Sequence, residues 1–99
     1  MRYKMRYPNQ MFVVDALKFD YSSDGIALLR EFCGEALGNV SKDRDFYSKG
    51  QAKIYKNFVD KNGNKIIEGI AAEGDYIVKS ENGELTVVDS DIFLITFHR

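Results

Sequence analysis

Two Asn-Gly pairs, at positions 62–63 and 82–83, constrain the fold of this chain more than any other feature of its sequence. Each pair stands between two runs that are rich in β-branched and aromatic residues, a pattern typical of antiparallel hairpins. The strands predicted to form the two hairpins are residues 51–60 with 65–71, and residues 74–80 with 85–89. The C-terminal half is therefore predicted to be mostly antiparallel sheet.

The N-terminal half predicts one strand followed by one helix. Residues 11–19 are apolar on both faces of an extended chain, which indicates a covered strand. Residues 24–37 repeat apolar side chains at helical spacing after an N-cap at Ser22 or Ser23. Gly38 is then expected to end the helix with a positive φ.

The order of these elements predicts an α+β fold, with an antiparallel sheet of four to six strands and one main helix (about residues 24–37) packed on one face. The 99 residues fit a single small domain, residues 1–99. The last segment, residues 91–98, allows two interpretations. Either Ser90 caps a short helical turn before a final strand at 94–98, or the whole segment is one continuous strand.

Charge and cysteine content exclude several classes of protein. Fourteen basic and 15 acidic residues leave a net charge of −1, without the basic excess of a general nucleic-acid binder. One cysteine, Cys33, and one histidine, His98, cannot form an intramolecular disulfide or a structural zinc site on their own. Cys33 lies on the apolar stripe of the helix and is expected to be buried. We expect a cytoplasmic protein with no metal, no cofactor and no membrane span, and not an enzyme.

A mixture of basic and aromatic residues supplies the candidate binding site, because Tyr and Arg are favoured at protein interfaces and aromatic rings beside lysine can stack on bases. Its members are Arg2, Tyr3, Lys4, Arg6, Tyr7, Tyr47, Lys53, Tyr55 and Lys56. Strand alternation places Lys53 and Tyr55 on one face and Lys56 on the other. The alternative is an ordinary sheet surface, with residues 1–7 as a charged edge strand.

Residues 73–97, EGDYIVKSENGELTVVDSDIFLITF, resemble the C-terminal segment of a family of small, mostly uncharacterised proteins of tailed bacteriophages and prophages, which reads PGDYIVKGENGEFYPCKPDIFEKTY. Residues 1–19 add a weaker match. The matching positions singled out are Gly74, Asp75, Tyr76, Asn82, Gly83, Asp91 and Phe93. Turn formation and helix capping would explain these residues structurally, and a ligand site is the alternative.

The chain departs from this family at Glu73, where relatives have proline, and at residues 85–90, where the family's FYPCKP is missing together with its cysteine. The resemblance implies a phage or prophage origin and a small α+β fold. It implies no established activity.

Three hypotheses of function remain open from the sequence. The first is an accessory protein that inhibits a host component, such as a CRISPR defence system, by binding a host protein without catalysis. This step rests on analogy with the phage setting. The second is a homo-oligomeric sponge for a small ligand or cyclic nucleotide. The third is a nucleic-acid-binding accessory protein that uses Arg2, Lys4 and Arg6.

Overall fold

Two strands, a helix, five strands, a second helix and a last strand follow one another in a computed structural model that describes residues 2–5, 13–42 and 49–98. The strands are β1 (Arg2–Met5), β2 (Val13–Lys18), β3 (Leu37–Ser41), β4 (Gln51–Val59), β5 (Lys65–Ala72), β6 (Tyr76–Lys79), β7 (Leu85–Val88) and β8 (Phe97–His98), and the helices are α1 (Ser23–Cys33) and α2 (Ser90–Thr96). All strand pairs are antiparallel. The predicted α+β class is therefore confirmed.

The described strands form two sheets, where the sequence predicts one. The larger sheet has the order β7-β6-β2-β1-β8, and the smaller has the order β3-β4-β5. The turn after β5 directs the chain from one sheet to the other. In that turn Gly74 donates its N–H to the carbonyl of Phe19, and Phe19 donates to the carbonyl of Asp75 at 2.8 Å. These bonds bring β6 beside β2 instead of leaving it beside β5.

Helix α1 begins as predicted and ends earlier. The hydroxyl of Ser22 accepts the N–H of Gly25 at 3.0 Å, which confirms the N-cap. The helix ends at Cys33 because Gly34 adopts φ 60°, and a short 3₁₀ turn at residues 34–36 leads into β3. Gly38, predicted to end the helix, lies in β3. No helix in the described ranges is long and apolar enough to cross a membrane.

The main core lies between the two sheets and is closed on one side by α1. Its buried members are Phe19, Leu29, Cys33, Ala52, Ile54, Ala71, Ile77 and Leu85. Ala52 and Ala71 are direct cross-strand partners in the smaller sheet, and both are fully buried. This register shows which side of β4 and β5 points inward.

Helix α2 covers the opposite face of the larger sheet and forms a second core with Ala16, Val78, Phe93 and Phe97. The Phe93 ring stacks on Tyr76 with centroids 3.9 Å apart. The C-terminal segment is thus a helix followed by a short strand, and the continuous-strand alternative is wrong. The cap is Asp89 rather than Ser90, because an Asp89 carboxylate oxygen accepts the N–H of Asp91 at 2.9 Å.

Both Asn-Gly hairpins are present. In the first, Asp60 donates its N–H to the carbonyl of Asn64 and accepts the N–H of Gly63. Gly63 has φ 81° and Gly83 has φ 87°, and among the described residues only glycines have positive φ. The glycine of each pair therefore supplies the left-handed residue that the hairpin requires.

Candidate functional site

The side chains of β4 and β5 that point away from the core form a surface that we call the open face. It consists of Lys53, Tyr55, Ile67 and Ile70. Lys53 is the cross-strand partner of Ile70, and Tyr55 is the partner of Ile67. Ile67 is 50% exposed and Ile70 is 57% exposed, although both are large apolar residues. The open face therefore combines two exposed isoleucine side chains with the ammonium group of Lys53 and the phenol of Tyr55.

The Tyr55 ring packs against β3 at Gly38. It crosses Gly38 of β3 so closely that a Cβ on Gly38 would lie 2.6 Å from the Cε2 atom of Tyr55. The Lys65 ammonium lies 5.2 Å from the centre of the same ring. A large aromatic side chain that is already fixed loses little entropy on binding, which suits Tyr55 to act as an anchor.

Lys56 lies on the other side of β4 from Lys53 and Tyr55, as alternation predicts. Its ammonium is 3.6 Å from a carboxylate oxygen of Glu68 and 5.6 Å from the centre of the Phe58 ring. Of the predicted binding residues, the structure therefore brings Lys53 and Tyr55 together and separates Lys56 from them.

The N-terminal candidates lie on a strand whose environment differs from the predicted one. Strand β1 carries Arg2, Tyr3 and Lys4 and is paired with β2 on one side and β8 on the other. The interpretation of residues 1–7 as an edge strand is therefore wrong for β1, because remote strand β8 supplies its second neighbour. Arg6, Tyr7 and Tyr47 lie outside the described residues.

The sequence pattern does not indicate Ile67 and Ile70 as members of the open face. They are three positions apart, so strict alternation assigns them to opposite faces of a strand. The pairing register of β4 and β5 shifts between Ile54 and Tyr55, and Glu68 is the extra residue of this bulge. Gly69, a glycine within a strand, is the sequence signal that could have indicated the bulge.

The structure offers a structural explanation for each of the residues that the resemblance singles out. Gly74 (φ 95°) and Gly83 (φ 87°) provide turn conformations. Asp75 accepts the N–H of Ala72 at 2.9 Å through its carboxylate. The Asn82 side chain accepts the N–H of Glu84 at 3.2 Å, closing the second hairpin.

The three remaining residues of the resemblance form and support the second core. Tyr76 and Phe93 stack on each other there. Asp91 lies in the first turn of α2, where a carboxylate interacts favourably with the helix N-terminus.

Cys33 is buried in the main core. Burial raises the pKa of its thiol to about 11, and the nearby Lys79 ammonium lowers it by a smaller amount. The thiol is protonated at neutral pH, whereas the thiolate is the nucleophile in cysteine chemistry. The arrangement therefore fits a core side chain and not a nucleophile.

We expect Cys33 to react with a thiol reagent at pH 8 at least about 100-fold more slowly in the folded protein than in denaturant. A rise in thiol pKa from 9.0 to about 11 alone reduces the thiolate fraction by about this factor. The unfolded chain loses the proton first, so folding stability should fall as pH rises from 9 towards 11. Stopped-flow labelling measures the rate, and equal rates in both states would contradict the burial.

A cleft of about 460 Å³ opens at the end of the smaller sheet, and we call it the end cleft. Its basic and aromatic lining residues are Tyr55, Lys56, Phe58, Lys65 and Lys79, and its apolar lining includes Cys33, Ala36, Val59 and Leu85. Lys79 donates to the carbonyl of Phe32, and Lys65 donates to the carbonyl of Glu35 at 3.2 Å. Both lysines thus satisfy carbonyls where α1 ends.

In the described part of the chain, no three His, Cys, Asp or Glu side chains group as a metal site. The open face and the end cleft both combine lysine, aromatic and aliphatic side chains. Comparisons with protein-family models, with curated proteins and with solved structures find no match to the chain.

Proposed function

We propose that this protein acts by binding another protein, without catalysis, through the open face. The observation that carries the proposal is the exposure of Ile67 and Ile70 directly beside Tyr55 and Lys53. Contiguous apolar surface next to a fixed aromatic ring is typical of the centre of a protein interface. Large apolar side chains that remain half exposed in the free protein gain free energy when a partner removes them from water.

The partner that fits this surface combines an apolar patch with a carboxylate. The residues directly across the strands from Lys53 and Tyr55 are isoleucines, so neither faces an acidic cross-strand neighbour. A partner carboxylate placed over Lys53 would gain an ion pair, while its apolar groups cover Ile67 and Ile70. Such complementary charge favours the correct orientation of the partner.

The resemblance of residues 73–97 supports a phage or prophage setting for this binding protein. In that setting the partner is a protein in the cytoplasm of a bacterial host, and the effect of binding is to inhibit it. A component of a host defence system, such as a CRISPR system, is the candidate partner that we propose.

Affinity capture from bacterial host cells, followed by quantitative mass spectrometry, tests the proposal with a matched pair of charge reversals. Lys53→Glu changes the open face, and Lys61→Glu changes an exposed lysine of the first hairpin turn. We expect the wild type and Lys61→Glu to recover the same host protein. Lys53→Glu should reduce its recovery at least about tenfold, which corresponds to about 1.4 kcal/mol of binding free energy.

Circular dichroism of both variants controls for folding. Recovery of a host protein that is equally strong with Lys53→Glu, or recovery of no host protein, would count against the open face as the binding site.

A second candidate function is the binding of a small anionic ligand in the end cleft. The specific observation is that Lys56, Lys65 and Lys79 line one cleft together with Tyr55 and Phe58, in a volume within the usual range of ligand sites. Titration with cyclic and linear nucleotides in a thermal-shift assay tests it. We expect a rise in Tm that Lys65→Ala reduces, and no rise with any nucleotide would reject this candidate.

A further inference from the structure

Among the described residues the smaller sheet has β3 at one edge and β5 at the other, and the edge of β5 is free. In the described part of the chain this eight-residue strand pairs only with β4, so one row of its backbone groups has no strand beside it. An unpaired strand edge is a template for another strand, because N–H and C=O groups there can continue the sheet. The partner that such an edge selects is therefore an extended chain segment.

The side of β5 that faces this edge can be located from Ala72. Its N–H donates to the Asp75 carboxylate at 2.9 Å, and its carbonyl accepts the N–H of Asp75 at 2.9 Å. Both groups therefore point away from β4, towards the free edge. Backbone groups along a strand alternate in direction, so the N–H and C=O of Ile70 point the same way. Asp75 occupies the edge at Ala72 and leaves it open from Ile70 towards Lys65.

We infer that β5 of a second copy of this chain pairs antiparallel with this edge and joins the two smaller sheets into one six-stranded sheet. The bulge makes β5 self-complementary. Ile67 and Ile70 share the open face, and the midpoint between them lies between Glu68 and Gly69. A two-fold axis at that midpoint places Ile67 opposite Ile70 of the second copy, and Ile70 opposite its Ile67.

This register is the one that keeps exposed residues opposite exposed residues. A shift by one residue would place Ile67 opposite Ala71, which points into the core and is fully buried, or, in the other direction, Ile70 opposite the half-buried Ile66. In the matched register the four isoleucines of the two copies form one apolar patch. Glu68 approaches its own symmetry mate near the axis, and the Lys56 ammonium at 3.6 Å offsets that repulsion.

The proposed pairing is limited to two copies of the chain. Because each copy contributes the same strand to the contact, the interface is isologous and forms a dimer instead of a filament. Lys53 and Tyr55 lie on β4, one strand away from the new contact, and stay accessible on the enlarged open face. The inference does not rest on the proposed function, and the dimer can be measured on the purified protein without a partner.

Sedimentation velocity over a concentration series up to about 500 µM tests the dimer, because interfaces of limited area assemble weakly. The matched variants are Ile70→Lys on the free edge and Ile95→Lys on α2, where the side chain is 72% exposed. We expect the wild type and Ile95→Lys to shift from 11.3 kDa towards twice that mass. Ile70→Lys should stay monomeric, because a charge on an edge strand opposes pairing.

A wild type that stays monomeric throughout the series overturns the inference. An Ile70→Lys variant that dimerises as strongly as the wild type also overturns it. Neither result bears on capture of a host protein, whose dependence on Lys53 is measured separately.

Disulfide trapping tests the register. Ile67→Cys protein labelled with a heavy nitrogen isotope is mixed with unlabelled Ile70→Cys protein under mild oxidation, so that the mixed dimer and the two symmetric dimers differ in mass. We expect the mixed 67–70 dimer to form at least about fivefold faster than either symmetric dimer, because directly opposite residues have the closest Cβ atoms. Predominance of a symmetric dimer would overturn the register. The buried thiol of Cys33 gives the background rate in the wild type.

Discussion

Replacing Phe93 with alanine is expected to lower the free energy of unfolding by about 3–5 kcal/mol, the usual range for a large aromatic side chain removed from a core. Phe93 has no exposed surface. Its ring stacks between Tyr76, with centroids 3.9 Å apart, and Phe97, with centroids 5.0 Å apart. It is also the buried residue of α2, so its removal weakens the attachment of the helix to the larger sheet.

Urea unfolding followed by circular dichroism measures this effect. Phe58→Ala is the matched control, because it makes the same chemical change at a ring that is 53% exposed, and we expect it to lower stability by less than about 1 kcal/mol. A domain of this size has a total stability of about 5–15 kcal/mol, so Phe93→Ala should remove a large part of it. Equal urea midpoints for the two variants would contradict the stabilising role of Phe93 in the second core.

Replacing Gly25 with alanine is expected to destabilise the protein by about 2–3 kcal/mol, although alanine is the better helix former by about 1 kcal/mol. A Cβ at this position would lie 2.1 Å from the backbone oxygen of Asp20. Asp20 cannot move away easily, because the preceding residue, Phe19, is buried and its N–H and carbonyl bond to Asp75 and Gly74. The clash is therefore with a fixed backbone atom.

The same substitution at Gly69 is expected to have the opposite sign. A Cβ there would lie 3.4 Å from the Cγ2 atom of Val87, an ordinary contact. Alanine also restricts the unfolded chain, so we expect a gain of about 0.4–1 kcal/mol. Thermal and urea unfolding of both variants measure the pair. Gly25→Ala with wild-type stability would contradict the close approach of α1 to Asp20.

Features that depend on a few neighbouring residues could be predicted from the sequence. The Ser22 cap and both Asn-Gly hairpins follow from hydrogen bonds and φ angles within a span of about four residues. The placement of Lys53 and Tyr55 on one face of β4 could also be predicted, because side chains alternate between the two faces along that stretch of the strand. The predicted burial of Cys33 follows from helical periodicity.

The open face could be predicted only in part. The sequence indicates Lys53 and Tyr55 but not Ile67 and Ile70, because the bulge at Glu68 breaks the period of two between the isoleucines. The N-terminal basic residues were expected on an edge strand. The position of β1 depends on β8, which lies at the other end of the chain and contributes only two residues to the sheet.

Local sequence thus decided the turns, the cap of α1 and the α+β class, since each rests on contacts between residues close in the chain. The tertiary structure decided the division into two sheets, the interior place of β1 and the alignment of two isoleucines on one exposed face. These features depend on which remote strand supplies the backbone hydrogen bonds and the buried surface. Every strand edge offers the same backbone N–H and C=O groups, so local sequence does not specify which strands pair. The pairing is decided by how the whole chain packs.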